Sequence, residues 1–176
     1  MNVPAIPPLP GAGTPAAGAA AGAAARLIAA AAAGVPVDPA PFPPEPIRAT
    51  CERIVARYPT RVAALLPVLH VAQRHYDGWV GPEVEAGVAC WLDCSPAHVR
   101  GVLTFYSMFH TQPRGRHEVW VCRTLTCWLK GARKLAEVAC EKAGLEGRDA
   151  TTPKTGEDGK FTVMEMECLG LCEVAP

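Results

Sequence analysis

The two segments most informative about the fold are HEVWVCRTLTC, residues 117–127, and FTVMEMECLGLC, residues 161–172. Residues 117–122 alternate as a β-strand does. Residues 161–167 predict a second strand, which the chain enters through the Asp158-Gly159 turn. Between the two, residues 128–142 carry apolar side chains at helical spacing, and Gly144 follows as a helix end would require. Residues 151–160 are polar and predict a loop. The chain therefore predicts strand, helix, strand, with a cysteine pair at the end of each strand.

These cysteine pairs, Cys122-x4-Cys127 and Cys168-x3-Cys172, are candidate metal ligands. Two thiolates from one short loop can bind one metal atom, and two loops brought together by a fold make a four-thiolate site. Thiolates are the soft ligands that iron–sulfur clusters and zinc select. Structural zinc and thioredoxin-type redox sites usually use a C-x2-C spacing, which neither pair has. The spacing favours a cluster, and zinc, redox thiols and unliganded core cysteines stay open as alternatives.

Both cysteine loops contain groups that could donate hydrogen bonds to sulfur. The loop after Cys122 is rich in backbone and hydroxyl donors. In the second loop, Gly170 is expected to let backbone N–H groups turn towards sulfur. Hydrogen bonds to cluster sulfur atoms are one influence on the reduction potential.

The other four of the eight cysteines are interpreted as packing residues. Cys51 and Cys140 lie on apolar helix faces. The pair Cys90-x3-Cys94 mimics the second candidate pair, but it lies at a helix end and is interpreted in the same way. Among the five histidines, which have no mutual metal spacing, His70 lies on an apolar helix and is expected to be a hydrogen-bonded core residue.

Composition and charge narrow the class of protein. Lys+Arg and Asp+Glu each number 17, so the net charge is zero and nothing favours nucleic acid as a partner. Residues 1–45 are almost all Ala, Gly and Pro, for which we expect disorder with a frayed helix over residues 23–33. The start lacks a basic segment typical of a secretory signal, and its Ala/Gly run lacks large apolar residues, so no membrane insertion is expected. A reducing cytosol suits metal-bound thiolates.

Residues 46–110 predict a bundle of four helices with short connections. The second helix is expected to begin near Arg61, with Pro67 kinking it. Pro82 suits the first position of the third helix. Ser95, followed by a proline, is the expected N-cap of the fourth.

The residues around the second cysteine pair match a known signature: Asp158-x2-Phe161-Thr162-x5-Cys168-Leu169-Gly170-x-Cys172-x2-Ala175-Pro176. This pattern resembles that of the 24 kDa subunit family of respiratory complex I, the NADH:quinone oxidoreductase. Two upstream blocks, residues 64–73 and 101–109, are similar to the family's second helix and to its link into the cluster domain. The resemblance covers residues 46–176.

The resemblance implies an α+β protein. A helical bundle over residues 46–110 would precede a thioredoxin-like [2Fe–2S] ferredoxin domain over residues 115–176. That domain would be truncated at its C-terminus, because the family's fold continues beyond this point. The implied cofactor is a [2Fe–2S] cluster, and its implied ligands are Cys122 and Cys127 on one iron and Cys168 and Cys172 on the other.

The resemblance also implies partners and a location. The chain would carry electrons beside a subunit that binds FMN and oxidises NADH, and would contact further iron–sulfur subunits. It would lie in the cytoplasm, peripheral to the inner face of the bacterial cell membrane. No hydride-transfer site is expected in this chain. The equivalent small subunits of NAD-dependent formate dehydrogenase and NAD-linked hydrogenase are alternatives in the same class, and a zinc-stabilised interaction module and a thioredoxin-like thiol enzyme are alternatives from other classes.

Overall fold

The computed structural model describes residues 38–145 and 152–176. The chain divides into two units, with the boundary between Pro113 and Arg114. The helix expected over residues 23–33 and most of the segment expected to be disordered lie outside the described residues. Among the helices that are described, none is both long enough and apolar enough to span a membrane.

Within residues 38–113, the part of the first unit that the structure describes, the chain forms four α-helices, as the sequence predicts. They are α1 (Glu45–Val55), α2 (Leu65–His75), α3 (Pro82–Leu92) and α4 (Pro96–Phe105). Helices α2, α3 and α4 bury their aliphatic side chains in one core, because helices with a single apolar stripe must bury it against one another. Helix α1 buries Ile47 and Cys51 in a second cluster with Val71 of α2. The fully buried core residues include Val68, Leu69, Val88, Leu92 and Val99.

Three helix starts test the sequence predictions. Pro82 is the first residue of α3, and the Ser95 hydroxyl accepts a hydrogen bond from the backbone N–H of His98 at the start of α4, both as expected. The predicted kink at Pro67 is wrong. A short 3₁₀ turn, Val62–Ala64, precedes α2, which begins only at Leu65. Pro67 thus falls in the first helical turn, where N–H groups have no intrahelical partner and proline breaks no hydrogen bond.

The cysteines and the histidine singled out in this unit have different environments. Cys51 is fully buried, as expected. Cys94 is half-buried and packs against the core of the unit. Cys90 is exposed, so its assignment as a packing residue is wrong. His70 is half-buried, with its ring 4.8 Å from the Phe109 ring, and burial lowers the pKa of its imidazole, with Arg74 adding to the effect.

The second unit is a small sheet with helices. Its elements are β1 (His117–Cys122), α5 (Leu125–Leu129), α6 (Ala132–Lys142), β2 (Lys154–Thr155) and β3 (Phe161–Met166). The strand order is β1-β3-β2, in which β1 and β3 are parallel and β2 is antiparallel to β3. The chain is thus an α+β protein, as predicted.

Two local predictions for this unit are wrong. The single helix expected over residues 128–142 is interrupted, because Gly131 adopts φ +97°, a left-handed conformation that ends α5 and precedes α6. The polar loop expected over residues 151–160 contains strand β2, whose Lys154 and Thr155 pair with Val163 and Thr162 of β3. A two-residue polar strand has no apolar alternation to reveal it.

The core of this unit fixes strand β3 against helix α6. Cys140 on α6 packs with Val163 on β3, and both are buried, which confirms Cys140 as a core residue. Thr162 is also fully buried. Its hydroxyl oxygen accepts a hydrogen bond from the backbone N–H of Gly115 at 2.6 Å and lies 2.7 Å from the Thr155 hydroxyl. The start of β1, strand β2 and strand β3 are therefore held together by one buried threonine.

Candidate metal centre

The parallel pairing of β1 and β3 brings the two cysteine loops to one edge of the sheet. Cys122, the last residue of β1, lies opposite Met166, the last residue of β3. The first loop runs on from Cys122, and the second begins two residues after Met166 with Cys168. Because parallel strands that end in register release their loops on the same side, the two cysteine pairs leave the sheet at the same level.

Within each pair the thiols are in contact. The Sγ atoms of Cys168 and Cys172 are 3.8 Å apart. Cys127 hydrogen-bonds to the sulfur of Cys122, which raises the pKa of Cys127, and burial adds to the increase. Each loop therefore presents two adjacent sulfur atoms, and two ligands of one metal atom must be adjacent in this way.

The two pairs are also close to each other. Besides its bond to Cys122, the Cys127 thiol has its pKa raised by the charges of Cys172 and Cys168 in the other loop. The pKa of Cys172 is raised by its hydrogen bond to Cys168 and, across the loops, by Cys122. The charge of each loop thus acts on the thiols of the other, and a bound metal cation would offset this repulsion.

The protein stabilises the thiolate of Cys122 in particular. The Thr124 hydroxyl lies 3.1 Å from Cys122 Sγ and, together with the Thr124 backbone N–H, lowers the pKa of Cys122 to about 7. The backbone N–H of Leu169, in the second loop, and the Cys127 thiol act in the same direction. A thiolate, rather than a thiol, is the form that binds metal.

The second loop turns a backbone donor towards its first cysteine. Gly170 adopts φ +80°, which a residue with a side chain rarely tolerates, and its N–H donates to Cys168 Sγ at 3.3 Å. The sequence predicts this use of the glycine. Hydrogen bonds from backbone N–H groups to ligating sulfur stabilise its negative charge and tune the potential of a bound iron–sulfur group.

The two pairs differ in exposure. Cys122 and Cys127 are 7% and 5% exposed and pack with Val121, Ala132 and Ala136. Cys168 and Cys172 are exposed. An apolar rim, defined here as six exposed side chains on α5 and the second loop, flanks the cysteines: Leu125, Trp128, Leu129, Leu169, Leu171 and Val174. Exposed apolar side chains in this number are typical of a protein–protein contact surface.

The donor set consists of two cysteine pairs. Within residues 38–145 and 152–176, no group of three or more His, Cys, Asp or Glu side chains is placed to hold a metal ion. The thiols form two adjacent pairs, with backbone N–H and hydroxyl groups directed at the sulfur atoms. Such a set suits a [2Fe–2S] group, in which each iron takes two cysteines.

Sequence reasoning missed part of the surroundings of the sulfur atoms. The first loop is rich in hydroxyl groups, but no local pattern singles out Thr124 as the donor to Cys122. The ion pair between Arg123 and Glu167 was not predicted, although each residue stands next to a candidate ligand, because their proximity depends on strand register. A further charged side chain next to a candidate ligand is Glu173, which directly follows Cys172 and is exposed.

The chain resembles known proteins over the same residues. Residues 51–176 match the thioredoxin-like [2Fe–2S] ferredoxin family. The NADH-quinone oxidoreductase E subunit of Rickettsia bellii is 36% identical over 71% of this chain and 73% of the relative. NADH-quinone oxidoreductase subunit 2 of Thermus thermophilus is 39% identical over 71% and 67%, and the second NADH-quinone oxidoreductase E subunit of Rhizobium meliloti is 38% identical over 74% of each chain. On the extent of these matches, the chain belongs to the thioredoxin-like [2Fe–2S] ferredoxin family, with E subunits of NADH-quinone oxidoreductase among its relatives.

Proposed function

We propose that this chain is the [2Fe–2S] electron-transfer subunit of an NADH-quinone oxidoreductase, with Cys122, Cys127, Cys168 and Cys172 as the cluster ligands. The observation that carries the proposal is the pairing of β1 with β3, since it delivers two adjacent thiol pairs to one edge of the sheet. The family match and the names of the relatives support the same function.

Each group at this edge has a distinct role. The thiolates of the two pairs would hold one iron each. The hydroxyl of Thr124 and the N–H of Gly170 donate to ligand sulfur atoms and so stabilise added negative charge. The cluster, when bound, supplies storage and transfer of a single electron. The burial of Cys122 and Cys127 limits water at one side of the site, and this favours retention of the metal.

The proposed partner is the subunit that binds FMN and oxidises NADH. Hydride oxidation delivers two electrons at once, whereas iron–sulfur groups accept them one at a time, so such a subunit and a chain of this kind complement each other. The apolar rim beside the cysteines would form part of that contact. Further iron–sulfur subunits complete the proposed complex, which would be peripheral to the inner face of the bacterial cell membrane.

Metal analysis of the purified protein tests this proposal. Protein prepared without oxygen is expected to be red-brown, with two irons and two sulfides per chain, and to give a rhombic EPR signal after reduction. Cys→Ser replacement at Cys122, Cys127, Cys168 or Cys172 is expected to remove or cripple the cluster. Cys90→Ser, at an exposed cysteine in the other unit, is the matched control and leaves the iron content unchanged.

Two results would contradict the proposal. A colourless protein with stoichiometric zinc favours the zinc-stabilised interaction module. An intact cluster in Cys168→Ser overturns the ligand assignment. Co-purification of the protein with a flavin-containing subunit from its own cell membrane, lost when charged residues replace Leu125 and Leu129, tests the proposed contact surface separately.

A further inference from the structure

We propose that Arg123 and Glu167 form an ion pair that positions the two cysteine loops and adjusts the charge beside the cluster; this inference rests on the proposed function. Arg123 directly follows Cys122, and Glu167 directly precedes Cys168. The two residues are therefore the next pair in register after the last residues of β1 and β3, Cys122 and Met166.

The contacts of Arg123 join the loops through both backbone and side chain. Its backbone N–H donates to the Met166 carbonyl oxygen at 2.9 Å. Its side-chain Nε donates to Oε1 of Glu167 at 2.9 Å, and Nη2 contacts the same oxygen. Two guanidinium donors on one carboxylate fix orientation better than a single contact, because a planar group held at two points cannot rotate freely.

The position of this ion pair, rather than its strength, gives it a role. The side chains are 48% and 70% exposed, and exposed ion pairs add little to the stability of a fold. Here, however, the sheet ladder ends at Met166 and the second loop continues through exposed Cys168 and Cys172. The ion pair extends the link between the loops by one residue beyond the ladder, to the peptide that carries Cys168.

The charges have opposite expected effects on a bound cluster. Adding an electron to a site with four thiolates increases its negative charge. The guanidinium of Arg123 favours that electron and the carboxylate of Glu167 disfavours it. For one unit charge about 10 Å away in a water-like medium, the ratio of reduced to oxidised cluster changes on the order of twofold. The two members of the pair thus act together on geometry and against each other on potential.

This combination predicts a specific result in the cluster-loaded protein. Arg123→Gln and Glu167→Gln are each expected to lose the cluster to a chelator about two to five times faster than the wild type, as loss of an exposed ion pair would give. The charge-swapped double variant R123E/E167R is expected to restore most of the lifetime. The midpoint potential should fall in Arg123→Gln and rise in Glu167→Gln. High salt should shrink the differences between variants.

The matched control is Lys160→Gln. Lys160 forms an exposed ion pair with Asp158, 3.6 Å between Nζ and Oδ2, at the opposite end of β3, roughly 20 Å along the strand from the cysteines. Lys160→Gln changes the net charge by the same amount as Arg123→Gln, and it should leave the lifetime and the midpoint potential of the cluster unchanged. Arg123→Lys keeps the charge without the planar fork, and is expected to keep the wild-type potential but a shortened lifetime.

Each remaining outcome contradicts part of the reasoning. Unchanged lifetimes in both single variants, or a double variant as labile as they are, overturn the positioning role while the proposed function stands. Potentials that shift in the same direction overturn the electrostatic role. A wild-type protein that carries zinc and no sulfide overturns the proposed function, and the inference with it. Far-UV circular dichroism of each variant separates a folding defect from a loss of cluster alone.

Discussion

Replacement of Thr162 by valine should loosen the sheet that carries the cysteine loops. Thr162 is fully buried, and its hydroxyl bonds the backbone N–H of Gly115 at 2.6 Å and the Thr155 hydroxyl at 2.7 Å. Valine has nearly the same shape, so the change removes the hydroxyl without creating a cavity. It leaves the Gly115 N–H without that acceptor inside a partly buried site.

The expected cost follows from the two lost hydrogen bonds. Each contributes roughly 0.5–1.5 kcal/mol, so the free energy of unfolding of the second unit should fall by about 2 kcal/mol. Because about 1.4 kcal/mol corresponds to a factor of ten in an equilibrium constant, the opening of β1 and β3 becomes about thirtyfold more frequent. Thr162→Ser keeps the hydroxyl and loses one buried methyl group, which costs about 0.8 kcal/mol, or about fourfold.

Hydrogen–deuterium exchange measures this opening by segment. Peptides from β1 and β3 should exchange about thirtyfold faster in Thr162→Val than in the wild type, and peptides from α2 and α3 in the first unit serve as the internal reference. Thr155→Val, at an exposed position, should have a smaller effect. Faster exchange in Thr162→Ser than in Thr162→Val would contradict this expectation, because the methyl group would then matter more than the hydroxyl.

Three further predictions address the site and the first unit. Thr124→Val removes the hydroxyl donor to Cys122 and should lower the midpoint potential of the cluster-loaded protein by roughly 20–60 mV, a two- to tenfold change in the ratio of reduced to oxidised cluster. Spectroelectrochemical titration measures this potential, with Thr124→Ser as the control. An unchanged potential in Thr124→Val counts against the hydroxyl as a donor that tunes the cluster. Burial and Arg74 lower the pKa of His70, so the folded protein favours the neutral imidazole. The resulting contribution to the free energy of unfolding is fully present above pH 6.5, the unfolded pKa, and is lost as pH falls through the lower folded pKa. Urea unfolding should therefore show a lower free energy of unfolding at pH 5 than at pH 7.5, and His70→Gln should reduce this difference. Ser95→Ala removes the N-cap of α4 and should cost about 1 kcal/mol in urea unfolding, whereas Ser95→Asp should restore the cap.

Local sequence patterns were sufficient to predict strand β1 and the starts of two helices. The alternation in residues 117–122 predicted β1, and Pro82 and Ser95 predicted the starts of two helices. These signals lie within a few residues of the structure they specify, because strand periodicity and helix capping are local properties. The errors arose where a local signal was weak or ambiguous, as at Gly131, which suits a helix end as well as a break, and at the polar strand β2.

Sequence patterns were enough to establish that the chain is α+β, that four of its eight cysteines form two close pairs, and that these pairs follow two strands. The spacing and the signature near Cys168 also indicated the family. The three-dimensional fold was needed to establish that β1 and β3 are parallel and end in register, and so which side chains meet at the edge of the sheet. The meeting of Arg123 with Glu167 and of Leu169 with Cys122 depends on pairing between residues more than forty positions apart in the sequence, and no local pattern encodes that register.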